Sequence, residues 1–261
     1  MMDSSSTSRR LRRLGWALFA AAFWLSLWWW LSALVGQKIL LPSPQLAFTK
    51  LISLMGTANF YRSILNTFGR ILIGFAGAAL LGALLAALAF MLAPVRALLA
   101  PVMQAAKATP VASIIILILI FVSTPYVAAF TSFLMVLPVM YINTLNGLQS
   151  ADKKLLEMAK VFRLSTWQRA RAIYIPAAYP YFLSACDVSL GMSWKAGIAA
   201  EVIGLPKQSV GEALYLAKLN FAAPEIFAWT LAIILISVAI EKTAMLLLKR
   251  ARAGFGGKYG D

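Results

Sequence analysis

The chain has 261 residues, of which 61% are hydrophobic and only 13% charged. An ordinary soluble domain carries about twice that charged fraction, so the chain reads as an integral membrane protein. Lys and Arg number 24 against nine acids, a formal charge of +15; cytoplasmic loops of membrane proteins collect such residues, and no nucleic-acid partner is expected.

With no histidine and one cysteine, Cys186, neither a metal site nor an internal disulfide is expected. Spanning a hydrocarbon core of about 30 Å takes about 20 apolar residues as helix, because backbone polar groups must pair within the segment. Six segments meet that condition: 14–35, 69–92, 102–122, 126–145, 177–203 and 226–247. The expected fold class is all-α, with about six transmembrane helices.

Residues 1–13 form a basic N-terminus in which Arg9, Arg10, Arg12 and Arg13 hold the start of the first helix in the cytoplasm. The apolar run 14–35 is too long for a typical signal core and no convincing cleavage site follows it, so it is expected to be retained. Six crossings then return the tail 249–261, with Lys249, Arg250, Arg252 and Lys258, to the same side. Both termini are expected to be cytoplasmic. The outer loops hold fewer basic residues, Lys38, Lys50 and Arg62 in one and Lys207 and Lys218 in another.

In the external loop 36–68, the corner Leu41-Pro42-Ser43-Pro44 precedes Leu46, Leu51, Leu54 and Met55. These fit one face of an interfacial helix, and equally a solvated loop. Residues 69–248 form the expected core. Its second crossing is rich in small residues (Gly74, Gly77, Ala78, Gly82, Ala83, Ala86, Ala87), which let helix backbones approach closely in a membrane. Pro110 and Pro138 are expected to kink the third and fourth crossings.

The loop 150–176 is a polar island in this greasy chain. It contains Lys153, Lys154, Lys160, Arg163, Arg169 and Arg171 and lies on the cytoplasmic side in the expected topology. Leu155, Met158, Ala159 and Phe162 recur at helical spacing, with Lys153, Glu157 and Lys160 on the other face, which predicts an amphipathic helix. Ser165 and Gln168 fit a capping box opening a second helix that runs to about Tyr174, before Pro176 marks the return to the membrane. A protruding helix pair suits a soluble partner, and its basic residues suit lipid headgroups equally well.

Glu157 and Ala159, followed by Ile173 and Pro176 at fixed spacing, resemble the EAA motif of the membrane subunits of ATP-binding-cassette importers. The motif runs Glu-Ala-Ala, three residues, Gly, nine residues, Ile, any residue, Leu-Pro. Met158, Arg163 and Ile175 depart from it. Leu41-Pro42-Ser43-Pro44, residues 70–75, Pro101 with 106–110, and Ala200-Glu201 followed by Gly211 add a similarity to the permease branch serving nitrate, sulfonate, taurine and some vitamin precursors. Ser209-Val210-Gly211 stands where that branch often has Gly-Leu-Gly.

The resemblance implies a type I importer permease fold in a bacterial inner or plasma membrane. It implies that the loop is a cytoplasmic coupling helix, with Glu157, Ala159, Phe162, Arg163, Leu164, Ile173 and Pro176 forming the ATPase-coupling surface. The implied partners are two ATPase subunits, an external or periplasmic substrate-binding protein and a second permease copy, besides membrane lipid. ATP and Mg would be used by the ATPase; this chain has no phosphate loop, and no cofactor or bond chemistry of its own is expected.

Ionisable residues inside a membrane helix are costly and functional suspects by default. The fifth crossing contains Asp187, Lys195 and Glu201, with Ser189, Ser193 and Trp194 between them. Asp187, Trp194 and Glu201 recur every seven residues, one helix stripe, so these residues with Ser193 and Lys195 are candidates to line a path. Interhelical polar contacts for Asp187 and Lys195, and headgroup or loop contacts for Glu201, fit equally. Two readings compete with the importer: a proton-coupled secondary transporter using Asp187, Glu201 or Glu241, and a membrane scaffold whose basic island binds lipid or protein.

Overall fold

The computed structural model describes residues 4–256; Lys258 lies outside them, as do the side chains of Arg9, Arg10, Arg13, Lys249, Arg250 and Arg252. The described residues form helices joined by short turns, without a strand. In chain order the helices are α1 (Ser4–Val35), α2 (Pro44–Met55), α3 (Ala58–Met91), α4 (Ala93–Ala108), α5 (Val111–Phe121) and α6 (Val127–Gln149). They are followed by α7 (Lys153–Val161), α8 (Thr166–Arg169), α9 (Ile175–Gly204), α10 (Val210–Leu219) and α11 (Ala223–Gly256). Four helical spans, within α1, α3, α11 and the stretch ending in α6, are long and apolar enough to cross a membrane among the described residues; the bent pair α4 and α5 is a fifth when counted as one broken span.

Three expectations change. The helix that carries the expected second crossing begins at Ala58, ahead of residue 69, so α3 has 34 residues, a length of about 51 Å that exceeds the hydrocarbon core. The third crossing is not one helix with a kink: α4 and α5 meet at 107°. Pro110 stands between them and cannot donate to the helix ladder, and its ring excludes the preceding Thr109 from helical geometry, which takes ψ 131° instead. The fifth expected segment, 177–203, lies in α9, which is long enough at 30 residues. Its Asp187, Lys195 and Glu201 dilute the apolar character that a lipid-facing span needs. Pro138, by contrast, is taken into the continuous helix α6.

The chain divides into two compact units: residues up to Phe60 with Leu214–Ile233, and Tyr61–Ala213 with the residues from Ile234 onward. In the first, the Leu41–Pro44 corner is tied to α1. Trp28 Nε1 donates to the Pro42 carbonyl at 3.0 Å and Ser32 Oγ to that of Leu41 at 2.9 Å. Ser43 then caps α2 and Pro44 opens it, a residue order suited to a helix start. The expected helix at residues 46–55 is therefore present. It buries Ala47 and Leu51, while Met55 is exposed. Lys50 Nζ reaches Glu225 Oε2 at 3.1 Å, and the rings of Phe60 and Trp229 lie 5.0 Å apart.

In the second unit, α6 and α9 make the most extensive contact of any helix pair. Around them α3 packs through the expected small residues. A Cβ at Gly74 would lie 2.9 Å from the Ala129 carbonyl carbon, and one at Gly82 would lie 2.8 Å from Met140 Cβ. Ala78, Ala79, Val136, Met140, Ala185 and Cys186 form one buried cluster among α3, α6 and α9. Cys186 is thus a packing residue, as its apolar neighbourhood suggested.

Helix α6 approaches α9 closely at Gly147, where a Cβ would meet Ala178 Cα at 2.8 Å and Tyr181 Cβ at 2.9 Å. Backbone and Cβ atoms cannot move aside as a flexible side-chain tip can. Gly147→Leu is therefore expected to cost about 1–3 kcal/mol, the usual range for overpacking, and to lower the unfolding temperature of the detergent-solubilised protein. Unchanged stability would contradict this contact.

Candidate functional site

The island folds as two short helical pieces around a small core. Asp152 opens α7, its Oδ1 accepting from the Lys154 N–H at 2.8 Å. At the other end Phe162 is the cap and Arg163 takes φ 52°, the left-handed region. The Leu164 N–H reaches back to the Ala159 carbonyl at 2.9 Å and the Arg163 N–H to that of Lys160 at 3.1 Å. This pair of bonds is a Schellman motif with an arginine at the position glycine usually occupies. The turn that a motif glycine would have made is present, and the L-residue there costs about 1–2 kcal/mol of backbone strain.

The capping box is also present: Ser165 Oγ accepts from the Gln168 N–H at 3.3 Å, and Gln168 Oε1 from the Ser165 N–H at 2.8 Å. The second helix does not stop at Tyr174 as expected. Residues 170–174 widen into one π turn and continue directly into α9, with Pro176 in its first turn. A proline lacks an N–H and crowds the carbonyl four residues back; a first-turn position and a wide preceding turn accommodate it.

The motif residues now have physical roles. Ala159 and Ile173 are buried with Ala151, and Leu156, Leu164 and Tyr174 pack around them. They hold α7 against the chain entering α9. The apolar face expected from periodicity splits in two: Ala159 turns inward while Leu155 and Met158 stand outward. Val161 is 79%, Phe162 70% and Trp167 70% exposed, a display of large apolar side chains that normally marks an interaction surface. Glu157 is exposed beside them and makes no ion pair among the described residues.

A second constellation lies at the far end of α9. Glu201 is fully buried; its Oε2 accepts from Thr67 Oγ1 at 2.7 Å and from the Gly211 N–H at 3.4 Å, and its Oε1 from Arg70 Nη1 at 3.1 Å. Thr67 Oγ1 also accepts from the Val210 N–H at 3.0 Å. Arg70 Nη2 donates to the Lys207 carbonyl at 3.3 Å and Asn66 Nδ2 to the Gln208 carbonyl at 3.0 Å. The carboxylate thereby ties α3, α9 and the start of α10 together, and a buried charge is tolerated because it is both paired and hydrogen-bonded. Gly211 has no room for a side chain, since a Cβ there would collide with the backbone of Glu201 and Val202.

The five path candidates separate. Ser193, Trp194 and Glu201 are buried; Asp187 and Lys195 are exposed. Ser193 Oγ donates to the Leu190 carbonyl at 2.9 Å, and its own carbonyl accepts from Ser132 Oγ at 3.2 Å. Seven-residue spacing placed Asp187 and Glu201 on one stripe, yet the neighbours along α9 change over those two turns. Sequence reasoning overlooked Thr67 and Arg70 as partners of Glu201. A lone arginine at the head of an apolar run was the available clue.

A family model described as "Binding-protein-dependent transport system inner membrane component" matches residues 78–251. A putative aliphatic sulfonates transport permease protein of Bacillus subtilis is 39% identical over 64 residues, 24% of this chain and 23% of that one. A riboflavin transport system permease protein of Chloroflexus aurantiacus is 29% identical over 154 residues, 57% and 56% of the two chains. The matched stretches thus span about a quarter and about half of these relatives' lengths, 23% and 56%. A solved bacterial transporter that imports alginate has a chain with the same fold, at TM-score 0.61 and 17% identity, covering 94% of this chain and 99% of that one.

Two outcomes follow from the site geometry. Arg163→Gly relieves the left-handed strain and is expected to raise stability by about 1 kcal/mol, whereas the β-branched Arg163→Val lowers it, in thermal unfolding of the purified protein. Glu201→Ala strands a partly buried guanidinium and two donors and is expected to cost about 3 kcal/mol. Glu201→Gln, which keeps the shape and most hydrogen bonds, costs less; equal losses would refute the charge-based account.

Proposed function

Because this chain belongs to the binding-protein-dependent transport system inner membrane component family, matched over residues 78–251, we propose that it is the permease subunit of an ATP-driven importer. In this reading it passes a small solute delivered by an external binding protein. A further structure of the alginate transporter was obtained in complex with a substrate-bound periplasmic protein, and an external partner of that kind is proposed here. The solute remains at the level of a small molecule. The relatives named above carry compounds as different as sulfonates and riboflavin.

The observation that carries the reading is the exposed apolar cluster on the island. Val161, Phe162 and Trp167 stand out on a knob whose own core, Ala159 and Ile173, is closed. Such a knob is rigid enough to transmit a push, because its ends are capped and its turn is hydrogen-bonded. In the proposed arrangement it sits on the cytoplasmic side in a groove of a separate ATPase, with Glu157 as polar anchor and ATP and Mg held by that partner. Two ATPase subunits closing around ATP would draw two knobs together, one from each copy of a permease dimer, and switch the bundle between inward-facing and outward-facing states. The basic termini are proposed to lie on the same side. Glu201, buried and held by Arg70 at 3.1 Å, by Thr67 and by the Gly211 N–H, is enclosed in a static network and is poorly placed for the proton relay that a secondary transporter would need.

The test is Glu157→Lys together with Phe162→Ala, assayed in proteoliposomes with the ATPase and binding protein reconstituted. Each is expected to lower ATPase recruitment and ATP-driven uptake by about tenfold or more, about 1.4 kcal/mol of docking energy, while membrane insertion and unfolding temperature hold. Uptake that persists without ATPase and collapses with the proton gradient would overturn the importer reading.

A further inference from the structure

The exposed residues of α9 in mid-helix are Ser184, Asp187, Val188 and Lys195. At about 100° per residue they fall within about 100° of one another around the helix, so they form one open stripe on the side turned away from the buried positions. Gly191 lies in the middle of it. Over Gly191 lies the carboxylate of Glu241 from α11: a Cβ at Gly191 would come within 2.8 Å of Glu241 Oε1, which accepts from Ser237 Oγ at 3.1 Å. Beside the stripe, Val188 and Met192 line a cavity of about 280 Å³ with Pro138, Asn143 and Lys107. Neither Asp187 nor Lys195 makes an ion pair among the described residues.

Three surroundings can receive such a stripe within a membrane. Lipid is the least favourable, because an unpaired acid and an unpaired base would both stand in hydrocarbon. A second copy related by a two-fold axis along the membrane normal sets each residue opposite its own counterpart at the same depth. Asp187 and Lys195 are eight positions apart, about 12 Å along the helix. Across such an interface, acid meets acid and base meets base, and the pair does not close. Water satisfies both charges without a protein partner, and the adjoining cavity supplies the space.

We infer that Ser184, Asp187, Gly191 and Lys195 of α9, together with Glu241 of α11, border the hydrated path through the membrane, and that Ser193, Trp194 and Glu201 do not. This assignment rests on the permease reading. It narrows the lining to one face of one helix and adds a carboxylate from a second helix.

Charged, membrane-impermeant 2-sulfonatoethyl methanethiosulfonate tests the assignment on single-cysteine variants in a Cys186→Ser background, in the assembled transporter in proteoliposomes. Ser184→Cys, Asp187→Cys and Lys195→Cys are compared with Leu80→Cys, an exposed apolar position on α3. The cysteine thiolate attacks the reagent's sulfur, forming a mixed disulfide and releasing methanesulfinate, and the thiolate forms only where water reaches it, so the three stripe variants are expected to react about tenfold or more faster than Leu80→Cys. Rates equal to that of Leu80→Cys overturn the assignment. Ser184→Cys changes one atom, which keeps the test decisive if a charged-residue variant does not assemble. ATP-dependent uptake is read on the same samples. Fast labelling of the stripe with uptake driven by a proton gradient would sink the importer reading and leave the hydrated face standing.

Discussion

Helix α6 lies against α9 so closely at Gly147 that a side chain there would meet a neighbouring backbone atom at 2.8 Å. In a membrane this closeness matters more than hydrophobicity, because lipid solvates apolar side chains as well as another helix does. What holds two helices together is dispersion contact over a long interface and the few polar bonds across it. Ser132 Oγ to the Ser193 carbonyl, at 3.2 Å, is one such bond. The other elements of the second unit use this pair as their wall: α3 through Gly74 and Gly82, and α5 through Ile114, Ile115 and Ile118 against Val127 and Ala200.

The knob at the start of α9 inherits its rigidity from that wall, since the chain runs from Thr166 to Gly204 without leaving helical geometry. Its turn shows how little a single motif residue decides. Arg163 at φ 52° keeps both backbone bonds of the motif. The end of α10 repeats the solution: Phe221 takes φ 51°, the Ala222 N–H bonds the Ala217 carbonyl at 2.9 Å and the Phe221 N–H that of Lys218 at 3.1 Å. Two carbonyls that would otherwise lack donors are satisfied, and that gain offsets the strain of an L-residue in the left-handed region.

The ionisable residues of α9 divide between a closed network and an open face. Glu201 is closed in by Thr67, Arg70 and the Gly211 N–H, so its role is to fix the geometry of the loop before α10. Asp187 and Lys195, two to four turns away on the same helix, remain open. The difference arises because α9 passes through several environments along its 30 residues, and one helix face does not keep one neighbour over that length.

Much of this was legible in the residues themselves. Apolar length showed a multi-span helical protein, small residues on α3 showed a packing seam, and Ser165 with Gln168 showed a helix start, because each rests on local geometry or composition. The knob's two halves were legible too, since amphipathic spacing and a cap are properties of a few consecutive residues. Tertiary structure alone decided that α4 and α5 meet at 107°, that the second island helix runs through a π turn into α9, and that Glu201 is partnered by residues more than 130 positions away. Those outcomes depend on which surfaces meet across the fold, and a single sequence does not carry that information.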